Sequence, residues 1–338
     1  MARKRATIKE IAKMANVSPS AVSFVMNGRS GVSEATKKKI LEVIKEMDYY
    51  PSAASQRLVL KKSFNIAFVY PPDISPFTDL FYYEIAGGLV EELTQCQYNV
   101  VFTPLVEEND GIALPNIIKR QDADGAIFLH DTPAALLNEF DEMDIPYVLV
   151  DWQSNDVSCR TSISMNCEQS IFSAVMYLIE KGHTQIAFLG SDRFPYYYLR
   201  CFTGYRSALS KAGLPIYPDW IHDTVHDAES ASICLKKLIS MNTVPTAVCF
   251  MSDMCAIHTI QAAANLNIRI PEQLSFISID DILLSRYTQP QLTTISYKKN
   301  EIGKTAAQLL IQLLDGKKVE SVVVHSDSII ERQSVAIR

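Results

Sequence analysis

The sequence predicts a small all-α helix-turn-helix head at the N-terminus, followed by a larger α/β body of the doubly wound, parallel-sheet kind. Three observations predict it. The first 50 residues hold three capped segments of helical apolar spacing, with a break at Asn16-Val17-Ser18-Pro19. Residues 1–62 carry 13 Lys and Arg against 5 Asp and Glu, a balance of +8, whereas the rest carries 19 against 33, a balance of −14. From Ile66 onward, short apolar runs alternate with amphipathic stretches, the pattern of buried strands between helices. A chain of 338 residues exceeds one small core and predicts two or three domains.

The first helix opens at Thr7. Its hydroxyl can accept from the Glu10 N–H while the Glu10 side chain reaches back to Thr7, and Ile11, Ala12 and Ala15 follow at helical spacing. The second uses Ser18 as N-cap and Pro19 at the first position, where a missing N–H costs nothing, and Gly28 ends it. Ala21, Val22 and Val25 form its inner face, and Ser20, Ser23 and Phe24 point outward; the alternative for Phe24 is a place in the head's own core. A third helix starts at the Ser33 cap, carries Lys37-Lys38-Lys39 early and runs through Ile40, Leu41, Val43, Ile44 and Met47 until Pro51 stops it. A short helix presented by its neighbour fits the DNA major groove. The basic head over an acidic body suits phosphate attraction.

The body's expected strands are Ile66–Tyr70, Val100–Phe102, Ala126–Leu129, Tyr147–Val150, Ile186–Leu189, Ala247–Phe250 and Ser275–Ile279. Amphipathic segments at Ile85–Leu93, Ser170–Ile179 and Ala256–Ala264 lie between them, and the strands are too many for one compact unit. Ligands of such sheets bind beyond the carboxyl ends of the strands. Polar loops leave those ends at Asp73-Ile74-Ser75-Pro76-Phe77, with Phe81 and Tyr82 after it, at His130-Asp131, at Asp151-Trp152, at Ser252-Asp253 and at Asp280-Asp281.

The motif Thr7-Ile8-x-Glu10-Ile11-Ala12-x-x-Ala15-x-Val17-Ser18-x-x-x-Val22-Ser23-x-Val25-x-Asn27-Gly28, then Val32-Ser33-x-x-Thr36 and Tyr49-x-Pro51, resembles the LacI/GalR family of bacterial transcription regulators along nearly the whole chain. The resemblance implies a head at 1–50, a hinge helix and linker at 51–62, and an effector-binding and dimerisation body at 63–338. The body would have two periplasmic-binding-protein-like lobes, one about 64–160 plus 294–325, the other about 161–291. It places Pro19, Ser20 and Phe24 at base edges, Ser55 and Leu58 in the minor groove with Leu58 as wedge, and Thr7, Ser18, Ser23, Asn27, Ser33 and Thr36 at phosphates, which position without specifying. A flexible polar linker is the alternative for 52–62. Phenylalanine reads only apolar groups such as a thymine methyl, so operator preference does not transfer from members with arginine or histidine there.

For the cleft, the resemblance implies effector contacts from Ser75, Phe81, Asp151, Arg200, Asp253 and Asp280, with Asp280 the foremost hydroxyl acceptor. A helix-cap role competes at Asp253 and at Asp280. Sugar-responsive members carry an arginine three residues before Gly204. Cys201 stands there with Arg200 beside it, and Tyr196-Tyr197-Tyr198 offer stacking faces. The effector expected by default is a sugar or sugar phosphate, with a nucleobase-like metabolite or a protein co-effector as alternatives. The partners implied are double-stranded operator DNA and a second copy of the chain.

Other classes find little support. Neither a catalytic motif nor a cofactor fingerprint occurs, and the six histidines lack metal-ligand spacing. His183 follows a helix end, where the dipole favours a cation. The seven cysteines (96, 159, 167, 201, 234, 249 and 255) are odd in number without C-x-x-C spacing, which argues for reduced core thiols. No run approaches the roughly 18 apolar residues of a membrane span, and the basic N-terminus lacks a signal-peptide core, so a bacterial cytoplasmic location is expected. A solute-binding protein without DNA function is the rival of a different class, and the basic head argues against it.

Overall fold

A computed structural model describes residues 7–26, 30–47, 62–108, 111–153 and 160–338. The chain divides into two compact units, Met1–Phe64 and Asn65–Arg338. In the first, α1 (Ile8–Ala15) starts with the reciprocal cap. The Glu10 N–H donates to the Thr7 hydroxyl at 3.3 Å, and the Thr7 N–H donates to the Glu10 carboxylate at 2.7 Å. Helix α2 (Pro19–Met26) follows Ser18, whose hydroxyl accepts from the Ala21 N–H at 3.1 Å. Helix α3 (Glu34–Glu46) follows Ser33, which accepts from the Thr36 N–H at 3.3 Å. Ile11, Ala12, Ala15, Val22, Val25, Ile40 and Val43 form one buried cluster. Leu41 departs from expectation at 49% exposed, because one helical step of about 100° past Ile40 leaves the inner face.

The second unit begins with β1 (Asn65–Tyr70), α4 (Leu80–Gln95) and β2 (Asn99–Pro104). A short hairpin of β3 (Val106–Glu108) and β4 (Gly111–Ala113) follows, then α5 (Asn116–Lys119), β5 (Gly125–Leu129), α6 (Ala134–Asp141), β6 (Tyr147–Val150) and β7 (Ser162–Met165). Next come α7 (Cys167–Glu180), β8 (Ile186–Leu189), α8 (Pro195–Lys211), β9 (Ile221–His222), α9 (Ala228–Ile239), β10 (Ala247–Phe250), α10 (Asp253–Asn265) and β11 (Ser275–Asp280). The chain then runs through β12 (Thr293–Ser296), α11 (Lys299–Leu314), β13 (Val322–Val324) and β14 (Ile329–Ile330).

Two six-stranded sheets result. The first has the order β13-β7-β6-β5-β1-β2 and is parallel throughout. The second has the order β14-β12-β11-β10-β8-β9 and is parallel except at its β14 edge. Parallel strands need crossover helices on both faces, so their runs are apolar throughout, as the fully buried Phe68, Phe128, Phe188, Phe250 and Phe276 show. The chain passes between the sheets three times, after β7, after β12 and after β13. The sheets thus claim Ser162–Met165 for the first lobe and Thr293–Ser296 for the second, a few residues from the expected divisions at 160/161 and 291/294. Neither strand has an uninterrupted apolar run to mark it.

Helix α11 returns to the first lobe and packs on α4 so closely that glycine is required. A Cβ on Gly303 would lie 1.9 Å from the Ile85 carbonyl oxygen, and one on Gly88 would lie 2.0 Å from that of Asn300. Five cysteines (Cys167, Cys201, Cys234, Cys249 and Cys255) are buried free thiols, while Cys96 is exposed. His183 does not serve as the helix-end cation that the sequence suggests. It is fully buried, its Nδ1 2.9 Å from the Thr246 hydroxyl and its Nε2 3.1 Å from the Ala336 carbonyl, and burial holds its pKa below the usual value.

Candidate functional site

Each helix of the head begins at a hydroxyl residue. Thr7, Ser18 and Ser33 each sit at a helix N-terminus, where backbone N–H groups and the dipole favour phosphate. Thr36 shares a 2.8 Å hydroxyl contact with Ser33, and Ser23 is half-buried on α2. Pro19, Ser20 and Phe24 are exposed. Phe24 is 38% exposed and stands outside the head's buried cluster, its ring beside Gly31. Asn27, Ser55 and Leu58, with nearly all of the 51–62 segment, lie outside the described residues.

In the body, a cavity of about 410 Å³ lies at the carboxyl ends of both sheets. Ser75, Phe81, Asp151 and Asp280 line it. Asp280 ends β11 with φ 118° and is 8% exposed. Its carboxylate accepts one long hydrogen bond, 3.4 Å from the Asp253 N–H. Burial, then the nearby Asp253 charge, pushes its carboxyl well above the usual range, and Lys299 pulls it back. Such a group gains strongly from hydroxyl donors that a ligand brings.

Asp151 is already engaged, accepting from the Tyr82 hydroxyl at 2.6 Å and from the Gln153 amide at 2.9 Å. Asp253 does not line the cavity, nor does it cap α10, since Ser252 accepts the Cys255 N–H instead. Its fully buried carboxylate accepts from Thr294 at 2.6 Å, from the Ile282 N–H at 2.9 Å and from the hydroxyls of Ser278 and Ser285. It anchors the loop after β11. Arg200 also stays out of the cavity. Its Nε donates to the Gln153 carbonyl at 2.9 Å beside a separate recess of about 370 Å³, and Cys201 is a core residue. Both lie one helical turn from Tyr197, but the Gln153 carbonyl draws Arg200 aside and Cys201 is buried in the core.

Of the three tyrosines, Tyr197 alone lines the cavity, donating to the Met251 carbonyl at 2.9 Å. Tyr198 stacks on Phe202, and Tyr196 is 44% exposed. The cavity also gathers Arg193, Phe194, His226, His258 and Tyr297. Sequence reasoning passed over these, although Ser191–Phe194 leaves the carboxyl end of β8 like the loops it did single out. Lys299 went unnoticed too. It is 4% exposed, and its ammonium donates to the Asp280 and Asp281 carbonyls at 2.7 and 2.9 Å and pairs with Glu84 of α4 at 3.5 Å, bracing the two lobes. Among the described residues no His, Cys, Asp and Glu cluster has metal-site geometry, and no helix is long and apolar enough to cross a membrane.

A helix-turn-helix unit joined to a two-lobed, cavity-bearing α/β body defines a class of DNA-binding regulators whose body has the form of a solute receptor. Comparison with known proteins identifies the family. The model of bacterial regulatory proteins, lacI family, matches residues 7–52, and a periplasmic binding protein-like domain matches 175–335. Catabolite control protein A of Priestia megaterium is 31% identical over 332 residues, covering 97% of this chain and 98% of that protein. The transcriptional repressor PurR of Vibrio cholerae is 30% identical over 336 residues, covering 98% of each. The structure of the lac repressor dimer bound to operator and the anti-inducer ONPF matches with a TM-score of 0.82 at 22% identity, over 98% of this chain and 100% of that one. A CelR–cellobiose complex matches with a TM-score of 0.70 at 23% identity, over 98% and 100%. The chain belongs to the LacI family. It is a DNA-binding transcription regulator with an effector-binding type of body, and not an enzyme.

Proposed function

We propose that the protein is a homodimeric repressor of the bacterial cytoplasm that binds a palindromic operator and releases or grips it according to a small molecule in the interlobe cavity. The carrying observation is the Asp280 carboxylate, buried at the cavity wall with a single long internal hydrogen bond. The effector class that this acceptor and the aromatic lining support is a sugar or sugar derivative. A ligand shifts the lobes only if it prefers one arrangement of them. Dimerisation is supported by the exposed apolar side chains of Leu283 and Tyr287, 52% and 74% exposed and outside the cavity lining, and by the dimeric lac repressor to which the fold is similar.

Pro19, Ser20 and Phe24 are assigned to base edges, with Ser55 and Leu58 to the minor groove, and Thr7, Ser18, Ser23, Asn27, Ser33 and Thr36 to phosphates. Fluorescence anisotropy of the full-length protein on duplexes from its own promoter region tests the reading. Specific binding should weaken or strengthen when the effector is added, and Asp280→Asn should abolish that response while sparing DNA affinity. Phe24→Ala should change base preference without lowering Tm. Absence of salt-sensitive affinity for any such duplex sinks the reading. A response that needs a second protein and ignores metabolites favours a protein co-effector.

A further inference from the structure

The charged groups of the cavity are unequally spent. Three of its four acids are committed or peripheral. Asp79 accepts the Phe81 and Tyr82 N–H groups at 2.9 and 3.3 Å as the α4 cap, Asp151 holds Tyr82 and Gln153, and Asp73 is exposed at the rim. That leaves Asp280 as the open acceptor.

The N–H-donating side chains of the lining include His130, Arg193, His226 and His258. His130, at the end of β5, is 5% exposed and lines the cavity. Its Nδ1 accepts the Asp131 N–H at 2.7 Å, which assigns the ring proton to Nε2. That second nitrogen has no hydrogen-bond acceptor among the described residues. The His130 ring meets Phe194 at 4.4 Å between centroids, so the β5 loop of one lobe touches the β8 loop of the other here. Arg193 precedes Phe194. It is an exposed residue of the same cavity lining, and its guanidinium makes no hydrogen bond or ion pair among the described residues. Burial lowers the pKa of His258, Asp227 opposes, and the nearby Arg193 charge adds a smaller lowering. His226 completes the wall, held by the Ser191 hydroxyl at 2.7 Å and by Asp192 at 3.2 Å. Helix α8 begins at the same place, and Phe194 supplies no side-chain cap for its first-turn amides.

We propose that the effector is a small hydroxylated anion, a sugar phosphate or sugar acid, whose negative group is taken by Arg193 and His130 at the meeting of the β5 and β8 loops while its hydroxyls reach Asp280. This rests on the cavity being the effector site. An anion gives Arg193 and the His130 Nε2–H charge-assisted partners. A neutral sugar makes only weaker bonds there and forgoes the charge pairing with Arg193. The lobes each contribute one of the two groups, so the anion bridges them.

Calorimetric titration of the full-length protein tests this with matched sets: glucose, glucose 6-phosphate and glucuronate, and ribose with ribose 5-phosphate. At least one anion should bind about tenfold or more tightly than its neutral parent. Arg193→Ala should erase that margin and leave the parent within about twofold, while Arg193→Lys retains part of it. Preference for the phosphates over glucuronate identifies a phosphomonoester, and the reverse a carboxylate. Neutral sugars binding as tightly as their anions, or Arg193→Ala weakening both alike, overturns the inference but keeps the cavity as an effector site. Silence of every ligand, neutral and anionic, overturns both.

Discussion

Asp253 and Asp280 lie 27 positions apart in the chain and one hydrogen bond apart in space, yet only one faces the cavity. Asp253→Ala would strip Ser278, Ser285, Thr294 and the Ile282 N–H of their shared acceptor inside a buried site. A loss of about 3 kcal/mol is expected, read from urea denaturation, and a loss below about 1 kcal/mol would show that the hydroxyls find other partners. His183 makes a prediction about acid. Its folded pKa lies below the unfolded one, so the unfolded chain binds the proton first. The stability that it contributes is complete above the usual histidine value and is lost as the pH falls toward the depressed one. His183→Gln should flatten the dependence of Tm on pH in that window. An unchanged slope would place the acid sensitivity elsewhere. Asp280 was legible from sequence because an acid directly follows an apolar run. Arg193 and His226 were not, because 33 residues separate them and the pairing of β8 with β9 unites them.

At the scale of elements, the α4–α11 pair depends on backbone approach. Gly303→Ala forces a methyl group against the Ile85 carbonyl, and the helices must part. About 1–3 kcal/mol of destabilisation is expected, with Gly87→Ala as a control, since nothing lies within 4 Å of a Cβ there. Equal Tm values for the two variants would refute the close packing. The strands that sequence revealed are those with uninterrupted apolar runs, such as Ile186–Leu189 and Ala247–Phe250, whose edges it placed to the residue. Those it missed are short or rich in Ser and Thr. Thr293–Ser296 is buried like its neighbours, but its hydroxyls are satisfied by distant groups, Thr294 by Asp253 and Thr293 by the Arg332 N–H. Helix caps, by contrast, are local chemistry, and Thr7, Ser18 and Ser33 showed themselves directly.

For the whole molecule, the contrast between a head region of +8 and a remainder of −14 makes DNA affinity a property of ionic strength. With several phosphate contacts per head, affinity for an operator duplex should fall by roughly 10³-fold between 50 and 200 mM salt, whereas a near-flat anisotropy titration would remove phosphate neutralisation as the main source of binding. The threefold passage of the chain between sheets has a consequence for biosynthesis. The first sheet waits for β13 and the second for β14, and Ser334 then ties Phe276 to Thr293 through hydrogen bonds of 2.7 and 2.8 Å. Both lobes therefore stay unfinished on the ribosome until β13 and β14 have been made. A premature stop just upstream of β13 would leave two frayed sheet edges for proteases rather than one sound lobe and one broken one.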